Sequence, residues 1–403
     1  MTKALIIGGG IGGPVAATAL RRAGIDAVVY EAHDGPGDHL GSVLTLAPNG
    51  LAALRTIGLL DAALRAAALP TTGIEFVNGS GRRLGSLNDG SRQGPAELRT
   101  VTIERGALQR ALADAARDQG TRIEYGKRFT GYTETDDGVI AEFADGTTAQ
   151  GDVLIGADGI HSPVRHLMDP HAPRPDYTGL LNIGGYAHSP GVEPTPEATS
   201  RMVFGRRAFF GYQTASSGKV FWFANLGHPE PTAQEIAART DAEWKTHVLE
   251  LFADDPADLT TIMRATEPAH FRPLGIYDLA SLPHWSRGRV ALMGDAAHAV
   301  SSSSGQGASL ALEDALVLAV CLRDAPDPVE AFTTYERRRR DRVERIAAEG
   351  RRRGGRKAGP SHPAALWLRD TFLRVVFALS ARFGGHTWLY DYRVDFEPVV
   401  TRK

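Results

Sequence analysis

The sequence predicts an α/β fold: a Rossmann-like domain, an inserted mostly antiparallel β-sheet domain, and a C-terminal helix. Three observations predict it. The first thirty residues read as strand, glycine turn, helix, strand. Two short apolar strands, at 152–156 and 288–293, return far downstream. Between them, from about Tyr177 to Ser281, short β-type runs are punctuated by Gly and Pro and are rich in aromatics. Buried parallel strands are continuous apolar runs, whereas the middle segment has the short, broken runs of an antiparallel sheet.

The elements follow in order. Ala4 to Ile7 is the first buried strand. Pro14 falls where a first helical turn tolerates proline, and Val15 to Ala23 is rich in Ala and Leu. Gly24 ends that helix, and Ala27 to Tyr30 is the second strand. Asp152 to Gly156 and Gly288 to Met293 are further strands of the same sheet. Gly307 to Arg323 is a strongly apolar helix with Glu313 and Asp314 on one side. The tail from Tyr335 is helical and arginine-rich up to Lys357.

Bulk properties exclude several classes. At 403 residues the chain is too long for one ordinary core. Lys plus Arg is 45 against 47 for Asp plus Glu, so no large field draws nucleic acid or anionic lipid. Cys321 is the only cysteine, which excludes an internal disulfide or a dithiol mechanism and fits a cytoplasmic location. The N-terminus lacks the long apolar run and cleavage site of a signal peptide. Arg369, Asp370, Arg374 and Arg382 interrupt the apolar stretch Leu366 to Phe383, so it reads as an amphipathic docking helix, not a membrane span.

Three motifs carry chemistry. Gly8-x-Gly10-x-x-Gly13 allows a tight turn, close approach to a pyrophosphate, and close packing of helix on strand. The helix start then offers N–H groups to phosphates, with Ile11 in the turn. Glu31 ends the second strand, where an acid accepts hydrogen bonds from a ribose hydroxyl and disfavours a 2′-phosphate. The tightly held dinucleotide is therefore not NADP. The second motif, Gly156-Ala157-Asp158-Gly159, follows a strand; by itself it reads better as an ordinary Asp-Gly turn. The third, Gly294-Asp295-Ala296-Ala297-His298, follows another. Beyond it Gly305-Gln306-Gly307 and Ala308 open a helix whose N–H groups face a ligand.

In this order and at these wide spacings, the three motifs resemble the class A flavoprotein monooxygenases of the p-hydroxybenzoate hydroxylase fold. The resemblance spans nearly the whole chain and is strongest to bacterial members acting on antibiotics and polycyclic natural products, such as tetracycline-inactivating monooxygenases. It implies a non-covalent FAD, with Arg105 contacting it before a helix, Asp158 in the Asp-Gly motif linked to FAD and NAD(P)H, and Asp295 on the ribityl chain. It also implies reduction by transiently docked NAD(P)H, since only one glycine fingerprint is present. Oxygen then adds to the flavin, and a C4a-hydroperoxide hydroxylates an aromatic or polycyclic molecule. Baeyer–Villiger or epoxidation chemistry, an external reductase, and a flavin-binding accessory protein without turnover remain alternatives. The domains expected are residues 1–75, 103–175 and 286–335 for FAD, 76–102 and 176–285 for substrate, and 336–403 as a C-terminal helical segment.

The chain departs from the family in two places. The Ser301–Ser304 loop lacks the usual proline, and Ser309 stands where many members have asparagine. Both are expected to alter contacts near the flavin. Phe204, Phe210, Tyr212, Phe223 and Ser302 are the candidate substrate-pocket residues. His188, His228 and His270 read as structural or surface histidines, and no catalytic residue or metal ligand is assigned. The runs Arg337–Arg340 and Arg351–Arg353 interleave with Glu336, Asp341, Glu344 and Glu349, the pattern of a solvated, salt-bridged helix face. A monomer or dimer with no nucleic-acid or membrane partner is expected.

Overall fold

Four parallel strands end level with one another, and that alignment creates the site. The computed structural model describes residues 2–37, 43–88, 91, 94–279, 281–355, 357, 362–383 and 387–397. In the first sheet, Lys3–Ile7 lies between Asp26–Tyr30 and Val153–Gly156, all parallel, with Val290–Leu292 beyond. Ile7 is in register with both Tyr30 and Gly156, and Gly156 with Leu292. The loops carrying Gly8, Glu31, Asp158 and Asp295 therefore leave one edge, the carboxyl edge where open α/β sheets bind ligands. Arg122–Glu124 and Ser286–Arg287 complete the six strands.

The Gly12–Arg22 helix buries Val15, Ala16, Ala19 and Leu20 against this sheet. Small residues let the strongly apolar Gly307–Asp324 helix pack close beside it. Gly24, at φ +82°, ends the first helix in the left-handed region that glycine tolerates.

A second sheet has seven strands, from Leu274–Asp278 at one edge to Arg83–Asn88 at the other. Its central neighbours are antiparallel; only Thr199–Phe204 beside Gly73–Asn78 is parallel. One face packs on the helices Asp241–Leu251 and Ala257–Ala265, with Trp222, Phe210 and Phe252 in its core. The other face looks toward the carboxyl edge of the first sheet. Two three-stranded sheets flank the pair.

The Pro363–Phe383 helix docks as the sequence suggested, but through a narrow stripe. Leu373 and Phe377 are buried beside Leu84, Phe204 and Phe209, and the Phe377 ring stacks 4.3 Å from that of Phe76. Trp367, Leu368, Phe372, Val375 and Leu379 are exposed on its other sides. No described helix is long and apolar enough to cross a membrane.

Candidate FAD and substrate site

A cavity of about 1610 Å3 runs from the glycine turn across to the open face of the seven-stranded sheet. Ordinary small-molecule pockets span roughly 300–1,000 Å3, so this one has room for a dinucleotide and a second ligand.

The glycine turn shapes one end. Gly8 has φ +112°, and a Cβ there would overlap the Ala157 carbonyl. The two strand-end loops therefore touch only because Gly8 is bare. A Cβ on Gly13 would overlap the Gly8 carbonyl, so the helix starts directly on the turn. Gly13 is a packing glycine and lies off the cavity wall, whereas Gly10 and Ile11 line it. No atom lies within 4 Å of where a Gly10 Cβ would be, which leaves room for a phosphate. No side chain caps this helix, so its first N–H groups face the cavity without a side-chain acceptor.

Glu31 is buried at the next loop. One carboxylate oxygen accepts from Gly9 N at 2.6 Å, and the other meets His33 N at 3.0 Å and His33 Nδ1 at 2.6 Å. A carboxylate has about four acceptor positions, so capacity for a ribose hydroxyl remains.

The other loops converge from across the edge. Asp158 Oδ2 accepts from Val164 N at 3.0 Å, while buried Oδ1 has no protein partner among the described residues. Burial pushes the Asp158 carboxyl up to about 6, against the pull of Ser162, Val164 and Arg165. Asp295 lines the cavity; desolvation by the protein packed around it pushes its carboxyl up, opposed by Arg105 and His298. Arg105 begins the Arg105–Asp118 helix and lines the same wall. Gly305, Gly307 and Ala308 line it too, at a second helix start with no side-chain cap and no acid in its first turn. These features fit an FAD: an orphan acid oxygen, uncapped helix starts, and bare glycine.

The missing proline is partly offset. Ser302–Ser304 forms one 3-10 turn, in which Ser301 Oγ accepts from Ser303 N and Ser304 Oγ from Gln306 N. Gly305, at φ +63°, closes it. Ser309 corrects an expectation. It is fully buried against the Pro48–Thr56 helix, where Oγ accepts from Ala47 N at 3.3 Å and leaves no space for a Cβ on Gly50. It packs two helices together and is not on the cavity wall.

Behind the wall lies an ion network that sequence patterning misread. Arg339 is fully buried and donates to Asp314 at 2.7 Å, with Glu313 at 2.6 Å. Arg342 holds the other side of Glu313, and Asn49 donates to both Glu313 and Gln306. Asp314 also accepts from Gly294 N and contacts His298 Nε2 at 2.5 Å. Burial would raise the Asp314 carboxyl, but His298 and Arg339 outweigh it and hold it well below the usual range. The expected solvated arginine face is therefore only half true. Arg340 pairs with Glu336 and Glu344 near solvent, while Tyr335, Arg339, Val343 and Ile346, at helical spacing, form a buried stripe. Charge counts alone carry no sign of which arginines face inward.

The aromatic candidates divide by strand alternation. Phe204, Phe223 and Ser302 line the cavity. Phe210 and Tyr212 do not; they point to the opposite face, where Phe210 stacks 5.3 Å from Trp222 and meets Phe252. Phe209, one residue away, is the cavity residue. His188, His228 and His270 lie off the wall, and His161 lies on it. Met202, Asn182, Lys357, Leu373 and Phe377 also line it, with no motif to announce them.

Known proteins agree with this arrangement. Residues 1–349 match the family model described as an FAD binding domain. The chain is 32% identical over 359 residues to the FAD-dependent urate hydroxylase of Klebsiella pneumoniae, covering 87% of this chain and 89% of that protein. It is 31% identical over 373 residues to the aurachin C monooxygenase/isomerase of Stigmatella aurantiaca, covering 92% and 94%. The crystal structure of Klebsiella pneumoniae HpxO with FAD and uric acid superposes with a TM-score of 0.81 at 29% identity, covering 93% of each chain. The tetracycline destructase Tet(51) shares the fold at a TM-score of 0.68 and 20% identity, over 95% of this chain and 98% of that one. With the glycine turn, the acid at 31 and both downstream aspartates on one sheet edge, the chain belongs to the FAD-binding-domain family and is a class A FAD-dependent monooxygenase.

Proposed function

We propose that the protein uses NAD(P)H and O2 to hydroxylate a planar aromatic or polycyclic small molecule. The observation that carries this reading is the single cavity joining the FAD-type edge to the aromatic face of the second sheet. Gly8, Gly10, Ile11 and Glu31 would hold the adenosine and pyrophosphate portion, with Gly13 setting the helix behind them. Arg105, Asp158, Asp295, Gly305, Gly307 and Ala308 would hold the remainder, without a covalent link. FAD supplies the electron transfer and oxygen activation; the protein binds, orients and excludes water.

The chain's own groups fit those tasks. The N–H groups at the Gly307 helix start lower the energy of negative charge beside them by about 0.3–2 kcal/mol. The Arg339–Asp314–His298 network fixes the loop that carries Asp295. Phe204, Phe209 and Phe223 form a wall for a flat ring and keep it dry. The similarity to an FAD-dependent urate hydroxylase and to an aurachin C monooxygenase/isomerase supports the same reaction class.

The test is NADPH and NADH consumption by FAD-loaded protein with a panel of phenols, indoles, quinolones and tetracyclines, with product masses recorded. A compound that speeds consumption and gains sixteen mass units supports the reading. Bound FAD that neither NADH nor NADPH reduces, with any compound, overturns it.

A further inference from the structure

Lys357 differs from its near neighbours in the chain, Arg352 and Arg353, among the cations on the cavity wall. Arg352 and Arg353 also line the cavity, and both pair with Glu349. Among the described residues no carboxylate pairs with Lys357. Its Nζ donates to Asn225 Oδ1 at 2.8 Å and lies 4.7 Å from the centre of the Phe209 ring and 5.5 Å from that of Phe223.

The surroundings are built. Phe209, Asn225 and Asn182 are cross-strand neighbours in one row of the sheet, and Phe223 is two residues along the same strand as Asn225. Asn225 is fully buried and donates its amide nitrogen to Asn182, which turns its carbonyl toward Lys357. Lys357 N donates to Gly354 O, and a Cβ on Gly354 would lie 3.4 Å from Ser303 Oγ. The lysine is thus tethered beside the serine turn that precedes the Gly307 helix.

A lone ammonium in such a place is expensive, and burial alone holds the Lys357 amine down to about 7. Two aromatic faces and one neutral carbonyl compensate only in part. A ligand anion would supply the missing countercharge.

The geometry points to Lys357 as a substrate-positioning residue, whose ammonium pairs with an acidic oxygen, carboxylate or phenolate, on a planar aromatic ring held against Phe209 and Phe223. This deepens the proposed function and rests on the aromatic end of that cavity being the substrate end. The charge pair would fix which edge of the ring faces the lysine and which faces the rest of the cavity.

Fluorescence titration of FAD-loaded protein with 2-naphthoate and its neutral isostere 2-naphthamide tests the assignment. Wild type should bind the carboxylate at least tenfold more tightly. Lys357→Met should bring the two within twofold while leaving naphthamide affinity and the 450 nm flavin content unchanged. Lys357→Arg should restore at least a fivefold preference, which a merely structural lysine would not require. Should Lys357→Met lose FAD, Lys357→Gln is read in its place. Equal binding of the two probes by wild type, no binding of naphthoate, or a preference that survives removal of the amine overturns the assignment. None of these readouts needs turnover, so a failure to oxidise NADPH would count against the monooxygenase reading alone.

Discussion

The two large sheets pose opposite problems to a reader of sequence. The parallel sheet is buried on both faces, so its strands are apolar throughout and its chemistry sits in the loops at their ends. Loop chemistry is written in residues with narrow uses, such as glycine at φ +112° and acids at strand ends. The seven-stranded sheet is apolar on both faces for different reasons, one a core and one a cavity wall. Period two separates the faces but does not say which is which. Function is thus legible where it depends on special backbone, and ambiguous where it depends on which way a phenylalanine points.

Substitutions sharpen this contrast. The largest loss of cofactor is expected at Gly8. Gly8→Ala forces a side chain into an unfavourable φ and onto the Ala157 carbonyl, costing roughly 2–4 kcal/mol. The purified variant should lose its FAD, read as 450 nm absorbance after gel filtration; full retention would break the claim that this turn is constrained by close approach.

Next comes the buried ion network. Arg339→Met leaves Asp314 without its guanidinium in a dry site, a loss of about 3–5 kcal/mol. Arg340→Ala, one residue along but near solvent, should cost about 1 kcal/mol or less. Thermal unfolding of the two variants checks the division of one arginine run into two environments.

The neighbouring phenylalanines test the second sheet directly. Phe210→Ala should destabilise by about 3–4 kcal/mol, because it empties the core beside Trp222 and Phe252. Phe209→Ala removes part of the cavity wall, so ligand affinity should fall more than stability. Reversal of that order, in melting temperature against naphthoate affinity, would invert the assigned faces.

The smallest effect is a pH slope. The Asp158 carboxyl is raised from 3.8 to about 6 in the folded protein, so between those values the native state holds a proton that the unfolded chain has released. Its contribution is full below pH 3.8 and is lost as pH rises through 6. Asp255, also raised to about 6 by burial, adds a slope of the same sign. Denaturant melts from pH 4 to 7 should therefore show a flatter wild-type-minus-variant difference for an exposed control than for Asp158→Asn. The Asp158→Asn difference should change by about 2 kcal/mol across the window. An Asp158→Asn profile parallel to wild type would show that the carboxyl is not raised.

Much of the first sheet, and the residues that the loops at its carboxyl edge bring together, can be read from the chain. The strand, turn and helix around Gly8 to Gly13, and the aspartates at 158 and 295, announce themselves because backbone geometry there permits few residue types. Ser309 misleads because the family resemblance sets it beside the flavin, and the Arg337–Arg340 run because it reads as wholly solvated, while neighbouring helices bury Ser309 and Arg339. Lys357 carries no pattern at all, since it reaches the cavity from far along the chain.

The sequence by itself determined the parallel sheet, its ligand edge and the family, because those depend on local backbone demands that only certain residues meet. Only the tertiary structure decided that Phe209 and not Phe210 lines the cavity, that Arg339 is inside, and that Lys357 sits over two aromatic rings. Those facts depend on which surfaces meet across hundreds of residues, and burial changes the cost of a charge or the use of a ring in ways no local pattern records.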